Sequence, residues 1–325
     1  MAEHLSCSPS YVYKKLSTIN LPARKKYISI SDEELDSHVA KLHADFPNSG
    51  QQMMAAYLKV KGIVVQRSRI HAASLNRVDP RAVAKRWSQT VKRRVYAVPA
   101  PNSLWHMDGH MKLVRWKLVT HGCIDGYSCC VTYLHCSRDN STLTVLKLFA
   151  EATTKYGFPS RTRSDHGREN YFVALFMEMV QGRNRGSHLT GESKHNERIE
   201  RLWKDVFLQV ISSFYEMFYS LEDYDLLNVE DPLDMEALHQ VYLPEINRRL
   251  LMFQEAWNRH SVRTASHYSP HQMWVSGMLK SSSNYTSVDH VFSTRDVALD
   301  LRQALSHYGL SPDALGEIED SYTNE

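Results

Sequence analysis

Between residues 104 and 218 apolar segments of two different periods alternate, and their order restricts the folds open to the chain. Residues 104–108, 117–124 and 129–136 are short and strand-like, with Gly126 marking a turn between the last two. Two close strands after a first one predict an antiparallel meander. Leu143, Leu146, Phe149, Ala150, Thr153 and Tyr156 then recur at helical spacing until Gly157 and Pro159 stop the segment. Residues 161–165 are short enough for a fourth strand, and a helix is predicted over about 170–180. A loop rich in Gly and Arg follows (Gly182, Arg183, Arg185, Gly186, Gly191), then a long helix over about 195–218. Ile199, Leu202, Trp203, Val206, Phe207, Val210, Ile211 and Phe214 form its apolar stripe. Three strands, a helix, a strand and further helices make a mixed α/β order.

Composition permits such a core. The chain has 325 residues, of which 42% are hydrophobic and 23% charged, which excludes collagen-like, wholly disordered and coiled-coil architectures. No run approaches the ~18 apolar residues of a membrane span, so no membrane association is expected. The first residues lack the charged-then-apolar pattern of a secretory signal, and five cysteines without paired spacing suit a reducing compartment; an intracellular location is expected.

The net charge of +3 hides an asymmetry: residues 1–103 carry 17 Lys/Arg against 7 Asp/Glu, and the remainder 22 against 29. A basic N-terminal third suggests a grip on nucleic acid, although a solvated basic surface has the same composition. Ser8-Pro9 reads as a helix start, with Val12 and Leu16 facing inward. Ser31 with Glu34 matches a capping box, and Leu35, Val39, Leu42 and Phe46 follow at helical spacing. A second helix over about 51–61 stops at Gly62, and a basic third helix over about 67–77 carries Arg67 and Arg69. Three short helices with tight turns suit a helix-turn-helix, and equally any small three-helix bundle. The basic run containing Arg93 and Arg94, followed by Pro99 and Pro101, reads as a stiff linker. Nuclear import, phosphate contact and plain solvation all fit it; a nuclear location is the expectation. The expected division is 1–30, a partial helix-turn-helix; 31–80, a helix-turn-helix-like region; 81–102, linker; 103–280, the α/β core; and 281–325, a polar and acidic tail.

Three acids stand out. Asp108 lies inside an apolar strand, Asp165 ends a short strand just before His166-Gly167, and Glu200 borders the apolar stripe of the long helix. Each alone could be a salt bridge or a cap, and Glu200 with Lys204 is an ordinary helical pair. Together they match the need of two Mg²⁺ ions roughly 3.5–4 Å apart at a phosphodiester, since Mg²⁺ prefers carboxylate oxygens and keeps several waters.

The motifs Trp105-His106-Met107-Asp108-Gly109, Ile124-Asp125-Gly126-Tyr127-Ser128, Ser164-Asp165-His166-Gly167-Arg168-Glu169-Asn170 and Asn196-Glu197-Arg198-Ile199-Glu200-Arg201-Leu202-Trp203 occur in that order. In order and spacing they resemble the catalytic core of retroviral integrases and related transposases. Over roughly residues 30–280 the chain resembles the mobile-element-derived integrase-core proteins of animal genomes. The resemblance implies an RNase H-like α/β core behind an all-α helix-turn-helix region. It implies Asp108, Asp165 and Glu200 as catalytic residues and ligands of two Mg²⁺ or Mn²⁺ ions. Glu197 competes for the third place, but the family's run of polar, x, x, aliphatic, Glu, Arg selects Glu200. The implied activity is cutting and joining of double-stranded DNA by a homo-oligomer, with Arg67, Arg69, Arg93, Arg94, Lys112, Asn170 and Arg201 as DNA-binding candidates. The alternative is a catalytically silent descendant that binds DNA or protein. Two departures are visible. Ser128-Cys129-Cys130 stands where relatives often have Ser-Arg, and no His,His…Cys,Cys module precedes the core.

His106, Asp108 and His110 alternate and share a strand face, as a metal cluster or as supporting groups. The strand cysteines read as small buried hydrophobes. The acids from Glu222 to Asp234 are expected to break helices and solvate a loop.

Overall fold

The computed structural model describes residues 8–19, 27–70, 98–165, 167–182, 185–191 and 196–281. Of these, the residues from Val98 to Trp203 form one compact unit. Those up to Ala97, together with Lys204–Lys280, form another.

The first of these units is built on β1 (Trp105–His110), β2 (Val119–Asp125), β3 (Val131–Ser137), β4 (Thr162–Ser164) and β5 (His188–Thr190). Their order in the sheet is β3-β2-β1-β4-β5, with β1, β2 and β3 antiparallel and β4 and β5 running parallel to β1. The meander and the fourth strand match the sequence expectation. β5 does not: the stretch expected to be a loop contains an edge strand of three residues, too short to show an alternating pattern. Two helices flank the sheet, α5 (Thr142–Tyr156) and α6 (Tyr171–Gln181). Ser141 caps α5 by accepting from the Thr144 backbone N–H, and Gly157 ends it at φ +80°, where an L side chain is strained.

Strand alternation sorts β1 into two faces. Trp105 and Met107 are fully buried, and Trp105 heads an edge-to-face cluster with Phe149, which in turn meets Phe158 and Phe176 at centroid distances of 5.7, 6.0 and 6.2 Å. His106, Asp108 and His110 take the opposite face. The helix expected at 195–218 is described from Glu197: α7 (Glu197–Val206) passes through a π-helical segment, Phe207–Ile211, into α8 (Ser212–Asp223). It therefore runs further than expected, and Glu222 and Asp223 belong to its last turn rather than to a loop.

In the other unit α1 (Pro9–Thr18) starts at Ser8, whose hydroxyl accepts from the Tyr11 N–H. α2 (Asp32–Asp45) is capped by Ser31, which accepts from Glu34, and buries Leu35, Val39 and Leu42. α3 (Gln51–Val60) follows, and Phe46 stacks on Tyr57 at 4.2 Å. Gly62 turns the chain at φ +78°. α4 (Arg67–Ile70) is the described part of the basic third helix; residues 71–77 of that expectation lie outside the described residues. Bulging of the π-helical segment brings Gln209 inward, where its Oε1 accepts from Ser49 Oγ at 2.9 Å and Tyr57 Oη at 3.3 Å. α9 (Pro232–Arg259), capped by Asp231, carries Arg249, which reaches the Asp45 carbonyl and lies over the Phe214 ring. α10 (Pro270–Ser281) follows. No described helix is long and apolar enough to cross a membrane.

Candidate active site

Pairing within the sheet brings two distant acids level. β1 and β4 are parallel with His106 opposite Arg163, so Asp108 and Asp165, each two residues further on, emerge side by side beyond this pairing. The carboxyl ends of parallel strands are where open α/β sheets place their ligands, because the strands stop there and loops diverge. Asp165 is half-buried, and its Oδ1 accepts from the Gly167 N–H at 3.1 Å, which fixes the turn.

The third acid arrives on α7. Asn196, just before this helix, accepts from His106 Nδ1 through its Oδ1 at 2.6 Å and donates its amide to the Met107 carbonyl at 2.9 Å. These two bonds clip the start of α7 to β1. One turn later Glu200 is exposed, and at Trp203 the helix returns to the strand: the indole Nε1–H donates to Asp108 Oδ2 at 2.8 Å. The indole sits where Gly122, paired with Asp108 across β1 and β2, has no side chain. A Cβ at Gly122 would come within 2.7 Å of Trp203 Cη2.

Burial first, and then the Asp165 and Glu200 charges, raise the Asp108 carboxyl to about 7 against the opposing pull of the Trp203 N–H. Asp108 therefore feels both other acids, although they lie 57 residues ahead of it and a further 35 beyond that in sequence. Among the described residues no three His, Cys, Asp or Glu side chains converge into a ready-made metal cage. The donor chemistry fits a hard divalent cation nonetheless. Mg²⁺ keeps several of its waters and needs only one or two carboxylates directly, and positive charge relieves the repulsion recorded at Asp108. The histidines of this face are occupied otherwise: His106 is bound to Asn196, His110 lies 5.1 Å from the Trp203 ring, and burial lowers both to about 4.

Of the other candidates, Lys112, Arg201 and Arg67 are exposed. Arg69 is tied to Asp32, with Nε to Oδ1 at 3.0 Å, and to the Ile30 carbonyl at 2.7 Å. Asn170 is buried and donates to Glu169 Oε1 at 3.0 Å. Arg93 and Arg94 lie outside the described residues. Near the departure Ser128-Cys129-Cys130, burial raises the Cys129 thiol and the Arg198 charge, from α7, opposes that rise. The cysteines Cys123, Cys130 and Cys136 are fully buried, as their reading as small hydrophobes requires.

Sequence reasoning missed two supports of the site. Trp203 closes the fourth motif and lies in the apolar stripe, and neither reading gave its indole a partner. His188, in the unforeseen β5, bonds Thr162 Oγ1 through Nδ1 at 2.7 Å and Ser164 Oγ through Nε2 at 3.2 Å. Ser164 in turn donates to the Asp165 carbonyl at 2.9 Å, so Nε2 carries the histidine proton and the chain of bonds ends at the acid. Beside the Asp165 loop a cavity of about 520 Å³ is lined by residues that include Arg168, Asn170, Tyr171 and His188.

A five-stranded sheet of this order, with Asp108 within its first strand, Asp165 just after its fourth and Glu200 on the helix that follows the fifth, defines an RNase H-like core. Residues 95–288 match the family model described as integrase core domain, and the chain belongs to that family. No curated protein matches it. The magnesium complex of the HTLV-2 integrase catalytic core domain, in its trimeric form, is a similar solved structure. It is 19% identical, with a TM-score of 0.34 over 54% of this chain and 97% of that one. A simian T-cell lymphotropic virus intasome in complex with the PP2A regulatory subunit B56 gamma is 18% identical. Its TM-score is 0.39 over 73% of this chain and 72% of that one.

Proposed function

We propose that the protein cuts and joins DNA phosphodiesters as an integrase-type polynucleotidyl transferase, with Asp108, Asp165 and Glu200 as its catalytic acids. One observation carries the reading: β1–β4 pairing sets the half-buried Asp108 beside Asp165, and Trp203, on the helix that carries Glu200, donates to the Asp108 carboxylate. The nearby Asp165 and Glu200 charges raise the Asp108 carboxyl, an arrangement more usual at a functional site than at a structural acid. Asp108 and Asp165 would hold one Mg²⁺ or Mn²⁺ ion, and Glu200 would hold a second. When bound, such a pair supplies the charge that activates an attacking oxygen and stabilises the leaving one.

The chain's own residues supply the placement. Asn196 fixes the start of the helix that presents Glu200, the Gly167 N–H fixes the Asp165 carboxylate, and Trp203 fixes that of Asp108. A water cleaves one phosphodiester to leave a 3′-hydroxyl and a 5′-phosphate, and that 3′-hydroxyl attacks a target phosphodiester, whose own 3′-oxygen leaves as the new bond forms. Lys112, Arg201 and Arg67 are exposed and would contact DNA phosphates, and Arg93 and Arg94 add to the basic charge of the N-terminal third of the sequence. Joining two DNA ends requires two sites, so the working form is a homo-oligomer, and its substrate sets a nuclear location.

Supercoiled plasmid with Mg²⁺ or Mn²⁺ tests this. Nicking or joining that depends on the metal, and that Asp108→Asn and Glu200→Gln both abolish, is the expected result. DNA binding with no cleavage in any metal would instead favour a silent DNA-binding descendant of the fold.

A further inference from the structure

We propose that Trp203 is a positioning residue for the metal site: its indole N–H holds one oxygen of Asp108 so that the other stays turned towards the ion, and Gly122 is the vacancy that admits it. The inference rests on the proposed role of Asp108 as a metal ligand and adds the device that orients it.

Three observations meet at this point. Trp203 Nε1 donates to Asp108 Oδ2 at 2.8 Å, and the indole is almost fully buried. Gly122 is the residue paired with Asp108 across β1 and β2; a Cβ there would meet Trp203 Cη2 at 2.7 Å and Leu134 Cδ1 at 3.2 Å. Trp203 also lies three residues after Glu200, so the residue that holds the first acid sits one helical turn from the third.

The chemistry of the donor matters. An indole N–H gives one hydrogen bond and accepts none, so it cannot bind the cation itself. It is neutral, so it steadies a carboxylate without adding positive charge that would repel an ion. Lys or Arg at the same place would satisfy Asp108 and compete with the metal for it. Partners that orient metal ligands in this way are typically worth 10–100-fold in affinity or activity.

Bulk and donation can be separated in the full-length protein. Binding of Mn²⁺ alone, followed by the electron spin resonance signal of the free ion, is compared with thermal unfolding for wild type, Asp108→Asn, Trp203→Phe, Gly122→Ala and the double variant Gly122→Ala with Trp203→Phe. Phenylalanine lacks the distal indole atoms that a Cβ at Gly122 would strike, so in the double variant the new methyl occupies vacated space. The expected result is Mn²⁺ binding weakened about tenfold in Trp203→Phe and equally in the double variant, whose unfolding temperature recovers towards wild type. Recovery of Mn²⁺ affinity together with stability in the double variant would reduce Trp203 to packing and overturn the inference. So would unchanged affinity in Trp203→Phe. Should Trp203→Phe alone fail to fold, the double variant decides. Wild-type protein that binds no Mn²⁺, or binds it equally with Asp108→Asn, would overturn the metal-site reading itself and this inference with it.

Discussion

Asp108 and Asp125 stand on neighbouring strands and meet opposite surroundings. Asp125, fully buried, accepts from the Asn102 N–H at 2.9 Å, the Ser128 N–H at 2.7 Å and the Ser128 hydroxyl at 2.6 Å, so both its oxygens are committed to the protein. Asp108 takes the Trp203 indole and a bond from the Gly109 backbone, and lies within the field of two further acids. The first pattern is that of a structural carboxylate, and the second suits the ligand role proposed for Asp108. Asp165→Asn is therefore expected to abolish metal-dependent strand cleavage, at least 100-fold, while leaving DNA affinity within about twofold; filter binding and nicking on the same preparation check this. His188 carries a second prediction. Burial lowers it from 6.5 to about 4, so the folded state binds its proton less readily than the unfolded chain. Stability from this group is complete above pH 6.5 and is lost as pH falls towards 4. Urea unfolding at pH 7 and pH 5 should show His188→Gln losing about 2 kcal/mol less than wild type over that interval.

At the scale of elements, hydrogen bonds rather than apolar area fix the corners. Asp125 closes the turn between β2 and β3, and through Asn102 it joins that turn to β1 and to the end of α5. Asn102 stands at φ +58°, accepts from Trp105 Nε1 and donates to the Tyr156 carbonyl. Asp125→Ala strands three buried donors at once, and an equilibrium unfolding series is expected to show a loss of about 3 kcal/mol, far above that of an exposed acid. β5 illustrates the complementary case. Its three residues have no periodicity to read, and their strand conformation comes from pairing with β4, in the register Thr162 to His188 and Ser164 to Thr190. The helices were easier to anticipate, because a capping box such as that of Ser31 and Glu34 and an apolar stripe such as Leu35, Val39 and Leu42 are local facts about consecutive residues.

For the whole molecule, the separation of charge along the chain sets the expected behaviour on DNA. Each phosphate neutralised by Lys or Arg releases counterions, so affinity falls with salt in proportion to the number of such contacts. Neutralising Arg93 and Arg94 together, as Arg93→Gln with Arg94→Gln, is expected to lower the slope of log affinity against log salt by about 2 and to leave nicking per bound plasmid unchanged. Fluorescence anisotropy across a salt series measures the slope; an unaltered slope would remove the linker from the contact surface.

Most elements, though not β5, and the acids that mark the candidate site were legible in the residues alone. Strand and helix periods, caps and terminating glycines are written in neighbouring residues, and an acid amid apolar neighbours, such as Asp108, is conspicuous without coordinates. The four motifs in order also pointed to the family that the integrase core match over residues 95–288 establishes. Tertiary structure alone decided which residues serve the acids. Trp203 closes the fourth motif and lies in an apolar stripe, and only the packing of α7 against β1 and β2, with Gly122 left bare, turns it into the donor that holds Asp108. His188 and Asn196 likewise acquire their roles from partners 24 and 90 residues away. A hydrogen bond between remote residues depends on distance and angle in space, which the chain fixes only once the sheet has closed.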